Sequence, residues 1–150
     1  MIAEDFRVAE ISVSYRPAVS CKPIVLSSKD AYLLIKPFFL EDTIGVQESF
    51  MVMYLNRANR VLGIYHLATG GITGCVGDIR LILSVALKTL ATTIIMVHNH
   101  PSGNLKPSRA DEDVTQKVKV AAALMDIRLA DHIILGEGEA FFSFSDEGII

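Results

Sequence analysis

Two histidines separated by one residue, His98-Asn99-His100, with Ser108 and Asp111 downstream, are the side chains whose types and spacing can do chemistry. In extended backbone, residues two apart project toward the same side, so both imidazoles can meet one ion. Ser108 is placed to open a helix and Asp111 to lie one turn inside it, where its carboxylate can supply a third ligand. Three protein ligands leave the fourth tetrahedral position to water. That is the arrangement of catalytic zinc, which lowers the pKa of bound water from about 15.7 toward ~7. A carboxylate must then take up the proton and return it. A His-x-His pair alone arises in about one chain in ten of this length and histidine content, but adding Ser and Asp at fixed distances lowers this to roughly one in two thousand. The pair is weak evidence and the quartet is strong.

These residues need elements to hold them. Residues 91–97 read as a buried strand that delivers the histidines at its end, and the Pro, Gly and Asn content of residues 99–107 makes a loop. A helix follows with Val114, Val118, Ala121, Ala122 and Met125 on one face. Upstream, Ser27 or Ser28 caps a helix running to Ile35, which Pro37 ends. Residues 48–55 and 61–67 form an antiparallel hairpin. After the Gly70-Gly71 break and Gly77, apolar residues Ile79, Ile82, Leu83, Ala86, Leu87 and Leu90 recur at helical spacing. Residues 129–135 and 140–144 are two further strands. Residues 1–26 read as an N-terminal arm with one strand over residues 11–15, and residues 27–150 as one domain. This order predicts a mixed sheet with helices on its faces, an α/β layer architecture.

Composition narrows the class. The chain has 150 residues, 51% of them hydrophobic, enough for one real core. Its longest apolar runs fall short of the ~18 residues of a membrane span, and its first residues are acidic where a secretory signal is basic. A cytoplasmic location is the expectation, with no membrane partner. Cys21 and Cys75 stand far apart, suit a reducing compartment and are expected to be buried. A net charge of −3 gives no support to nucleic-acid binding.

The sequence His98-Asn99-His100-Pro101-Ser102-Gly103, followed by Pro107-Ser108-Arg109-Ala110-Asp111, resembles the JAMM signature in the form found in the RadC family. Further likeness runs through Asp126-Ile127-Arg128-Leu129-Ala130-Asp131-His132 and Ser143-Phe144-Ser145-Asp146-Glu147-Gly148, so that about residues 27–150 are covered. The resemblance implies a three-layer α/β/α MPN (cytidine-deaminase-like) fold with a mixed β-sheet. It also implies one zinc ion held by His98, His100 and Asp111, with Glu48 activating the water and Ser108 helping to stabilise the tetrahedral intermediate. Spacing alone allows Glu41 as well as Glu48. Full-length proteins of this kind usually carry an N-terminal helix-hairpin-helix region; no such segment is read here, which places any DNA-related role in doubt.

Each residue also has a plainer reading. Ser108-Arg109-Ala110-Asp111 resembles a helix capping box, whose usual third-position partner is Glu or Gln. Glu48 can be an ordinary strand-end carboxylate. Asp131 and His132 can orient a metal ligand or form a structural polar pair. Asn99, Ser102 and Asn104 are expected to shape the loop by local hydrogen bonds, Gly103 to supply a positive φ, and Lys106 and Arg109 to be solvated. The expected function is zinc-dependent hydrolysis of a peptide or isopeptide amide bond, acting on a peptide or protein. The alternative is a DNA-associated accessory or binding module whose metal is not catalytic. Deamination is disfavoured because its signature requires His-x-Glu and a PCxxC, and neither is present. Edge strands of such a sheet allow a homodimer.

Overall fold

The computed structural model describes residues 8–17, 21–70 and 77–150. Helix α1, Ser28–Ile35, starts at Ser27, whose hydroxyl accepts from the Asp30 N–H while the Asp30 carboxylate accepts from the Ser27 N–H. Pro37 stops it as expected, and the chain continues through a 3-10 turn, Lys36–Phe38, whose first positions tolerate proline. A short helix α2, Glu41–Ile44, follows; four residues are too few to leave a periodic signature in sequence.

Strands β1, Ser49–Leu55, and β2, Val61–Thr69, form the antiparallel hairpin. Helix α3, Ile79–Lys88, leads to β3, Thr93–Asn99; helix α4, Arg109–Ala123, to β4, Arg128–Leu135; and β5, Phe141–Ser143, ends the sheet. The sheet order is β2-β1-β3-β4-β5, with β3 and β4 parallel across α4 and every other pair antiparallel.

Strand alternation divides the core into two layers. Met51, Met53 and Leu55 of β1 face one side, where Ala31, Tyr32 and Ile35 of α1, Phe39 and Ile44 pack with Ile95, Val97, Ile133 and Leu135. Phe50, Val52 and Tyr54 face the other side, against Ile82 and Ala86 of α3, Val118 and Ala122 of α4, Ile94 and Met96. Helices on both faces of a mixed sheet make the three-layer α/β/α arrangement. β3 is buried along its whole length, as a central strand covered on both faces must be.

Several expectations are corrected. Residues 11–15 form no strand; Ile11 and Val13 are exposed and the Tyr15 hydroxyl donates to the Leu62 carbonyl of β2. β3 begins and ends two residues later than expected, so that His98 and Asn99 are strand residues. Leu90 lies outside α3 at φ 57 and is exposed, and Met125 lies beyond α4, because each helix closes on a left-handed turn instead of extending its apolar face. Cys21 is exposed; Cys75 and Gly71 of the expected Gly70-Gly71 break lie outside the described residues. Among the described residues, no helix is long and apolar enough to cross a membrane.

Candidate metal centre

At the end of β3 and the start of α4, one ligand atom each from Glu48, His98, His100 and Asp111 lies within 4.8 Å of the others. His98 is buried inside β3, with its ring stacked on Phe50 at 5.6 Å between centroids. His100 sits one residue past the strand, tied to β4 by its N–H donating to the Leu135 carbonyl at 2.8 Å. Asp111 occupies the third position of α4. There the helix opens with a complete capping box: the Asp111 N–H donates to Ser108 Oγ at 3.1 Å and the Ser108 N–H to Asp111 Oδ2 at 2.8 Å. The cap therefore fixes the carboxylate that faces the histidines. The capping box is thus formed with Asp in the place where Glu or Gln is usual, and the same carboxylate faces the histidines.

The donor atoms fit a metal ion. His98 Nε2 is 3.0 Å from His100 Nε2 and 3.1 Å from Asp111 Oδ1, and His100 Nε2 is 3.1 Å from Asp111 Oδ2. Ligands about 2.0–2.1 Å from a tetrahedral zinc stand about 3.3 Å apart, close to these edges. Glu48 Oε1 is farther, 3.6 Å from His98 Nε2. His100 Nδ1 lies 2.6 Å from the Asn104 carbonyl, which can only accept, so Nδ1 carries the ring proton. His100 Nε2 thus faces a carboxylate and a second imidazole, a place that suits a proton or a metal ion. In the metal-free chain a proton is favoured there. A hydrogen bond to Asp111, opposed by burial, raises the pKa of His100 above its ordinary value. Burial pushes the Asp111 carboxyl up, but the His100 and His98 imidazoles against it outweigh that and hold the group well below the usual carboxylate range.

The neighbours divide by strand face. His132, wholly buried in β4, lies 2.8 Å from His98 through its Nε2 and 2.6 Å from Thr115 Oγ1 through its Nδ1. Burial drives its pKa well down. Asp131 points to the opposite face, where it accepts from Ser143 Oγ, the His132 N–H and the Ser145 N–H, with burial raising its pKa. Of the two residues read as a pair, His132 alone contacts a histidine of the cluster.

Asn99 does more than shape a loop. Its Nδ2 donates to the Ile44 and Gln47 carbonyls and its Oδ1 accepts from the Ser49 N–H, holding the segment that carries Glu48. Strand alternation carries the signal: between two histidines on one face, Asn99 must reach the other. Glu41, the alternative carboxylate, is exposed at the start of α2 and lies outside the cluster. Ser108 is exposed at the helix start and is not among the clustered ligand atoms. Ser102 and Asn104 do make local turns, Gly103 has φ 79, and Lys106 and Arg109 are exposed. Thr115, one helical turn beyond Asp111, was not singled out from sequence; its i+4 position from a ligand was the available clue.

A family model for the RadC-like JAB domain matches residues 25–149. A UPF0758 protein of Flavobacterium johnsoniae is 42% identical over 125 residues, covering 83% of this chain and 53% of the relative. One of Porphyromonas gingivalis is 40% identical over 126 residues, 84% of this chain and 54% of the relative. One of Nitrosococcus oceani is 46% identical over 103 residues, 69% of this chain and 46% of the relative. The chain therefore spans about half the length of the curated relatives it matches.

Proposed function

The chain belongs to the RadC-like JAB domain family, and on that premise we propose that it is a zinc-dependent hydrolase of the JAMM metallopeptidase type, cleaving a peptide or isopeptide amide bond. The observation that carries this reading is the convergence of two imidazole nitrogens and one carboxylate at 3.0 to 3.1 Å, with a second carboxylate beside them. A structural zinc site closes its four positions with Cys and His, whereas two His and one Asp leave room for water. Zinc bound there would polarise the scissile carbonyl and ready water for attack near neutral pH.

The protein's own groups supply the rest. Glu48 adjoins His98, held by the Asn99 clamp on either side of it. In this reading its carboxylate takes the proton of the attacking water and delivers it to the leaving amine. Ser108 Oγ accepts from the Asp111 N–H, so its own hydroxyl proton is available to the oxyanion as charge develops. The His100 ring is held by the Asn104 carbonyl and Asp111 by the cap, so neither ligand has to be ordered during turnover.

The test is elemental mass spectrometry on protein purified without added metal, followed by a screen of peptide and isopeptide substrates with Glu48→Gln as the control. About one zinc per chain is expected, retained in Glu48→Gln while turnover falls by roughly 10²–10⁴. A wild-type chain that takes up no zinc even on titration would overturn the proposal, and so would undiminished hydrolysis by Glu48→Gln.

A further inference from the structure

We infer that His132 and Thr115 form a proton-ordered relay that decides which nitrogen of His98 is left free for the metal, an inference resting on the zinc reading above. The order follows from one acceptor that cannot donate. Thr115 Oγ1 lies 2.6 Å from the Asp111 main-chain carbonyl, so the single hydroxyl proton of Thr115 points there. Oγ1 must then accept from its other neighbour, His132 Nδ1, also at 2.6 Å. The His132 ring is enclosed by Thr115, His98, Phe50 and Phe144, with no carboxylate hydrogen-bonded to it among the described residues, so it holds one proton, on Nδ1. Its Nε2 is therefore a lone pair and accepts from His98 Nδ1–H at 2.8 Å. The remaining nitrogen, His98 Nε2, carries a lone pair aimed at His100 Nε2 and Asp111 Oδ1.

The relay begins on the backbone of one ligand, Asp111, and ends on the ring of another, His98. It passes through α4, β4 and β3, so three elements agree on one tautomer. Packing keeps the rings in place: Phe50 stacks on His98 with 5° between planes, and Phe144 on His132 with 16°. Without the Thr115 hydroxyl, His132 is free to move its proton to Nε2. It would then donate to His98 Nδ1 and drive the His98 proton onto Nε2, where the metal must bind. His132 and Thr115 are thus positioning residues, since neither is among the clustered ligand atoms and each acts through His98.

The experiment compares the wild-type chain with Thr115→Val, which keeps the shape and removes the hydroxyl, Thr115→Ser, which keeps the hydroxyl, and His132→Leu. Zinc affinity is measured by competition with a chromophoric chelator, metal-free thermal midpoints report folding, and ring-nitrogen NMR reports the His98 and His132 tautomers in the metal-free chain. Zinc affinity is expected to fall about 10- to 100-fold in His132→Leu and about tenfold in Thr115→Val, with Thr115→Ser near wild type. In the wild-type chain both rings should carry the proton on Nδ1, and Thr115→Val should shift that balance without lowering the midpoint in proportion. The inference is overturned if wild-type His98 carries its proton on Nε2, or if Thr115→Val binds zinc as wild type does. A wild-type chain that takes up no zinc overturns the hydrolase proposal instead, and the tautomers still decide the relay.

Discussion

The same four-residue device starts α1 and α4, and in only one of them does it touch chemistry. Ser27 with Asp30 and Ser108 with Asp111 are both Ser-x-x-Asp capping boxes with reciprocal bonds of nearly equal length. Asp30 is half-buried and its carboxylate serves the Leu26 and Ser27 N–H groups, which hold its pKa down. Asp111 is mostly buried, and the cap leaves it facing His98 and His100. The cap positions a carboxylate in either case; what the neighbouring strand presents to it decides whether that carboxylate can bind a metal.

The sharpest way to break the comparison is to neutralise both carboxylates while keeping an acceptor for the cap. Asp111→Asn should lower zinc affinity by roughly a hundredfold or more, since each ligand carries a share of the about 10–16 kcal/mol typical of bound zinc. Asp30→Asn should leave zinc affinity unchanged. Chelator competition on the two variants decides the matter, and equal losses would mean that Asp111 acts only through the helix.

A second difference appears with pH. In the metal-free chain, the raised pKa of His100 contributes stability that is full below its unfolded value of about 6.5 and is lost as pH rises through the folded value. The lowered pKa of Asp111 contributes stability above about 3.9, lost as pH falls through its folded value. Metal-free thermal midpoints should therefore decline above pH ~6.5, and Asp111→Asn should flatten that decline. Asp30 faces no histidine, so Asp30→Asn should leave the slope intact. Zinc reverses the trend, because protons compete with it for the histidines and its affinity rises with pH.

How much of this was legible depends on the range of the interaction that fixes each part. The hairpin, the helix of Ser28–Ile35 and the strand before the histidines were readable, because caps, prolines and apolar periodicity act within a few residues. The histidines and Asp111 were legible through spacing, but spacing could not separate Glu41 from Glu48. That choice is made by Asn99, whose amide clamps the backbone around Glu48 across fifty residues of sequence. Asp131 and His132 were read as able to orient a ligand, but which of them faces inward, and the part of Thr115, were illegible for the same reason: both exist only once α4 and β4 lie against β3. The extended segment over residues 11–15 shows the converse error, since its alternation favours a strand but finds no ladder among the described residues.

The smallest effect separates the two serines. Ser27→Ala and Ser108→Ala each remove one capping acceptor, and each should cost about 1 kcal/mol, or roughly 2–4 °C in midpoint for a chain of this size. Stability alone would then call the serines equivalent. The proposed chemistry does not, because the Ser108 hydroxyl proton is available beside the cluster whereas Ser27 serves only its own helix. Removing a hydroxyl donor to an oxyanion should cut turnover by roughly 10²-fold in Ser108→Ala, while Ser27→Ala should retain full activity once both are assayed well below their midpoints. Equal turnover in the two variants would confine Ser108 to capping and leave the metal as the sole stabiliser of the oxyanion. A loss in Ser108→Ala accompanied by a matching loss of zinc would instead show that the hydroxyl acts by holding Asp111, so zinc content must be measured on the same preparations.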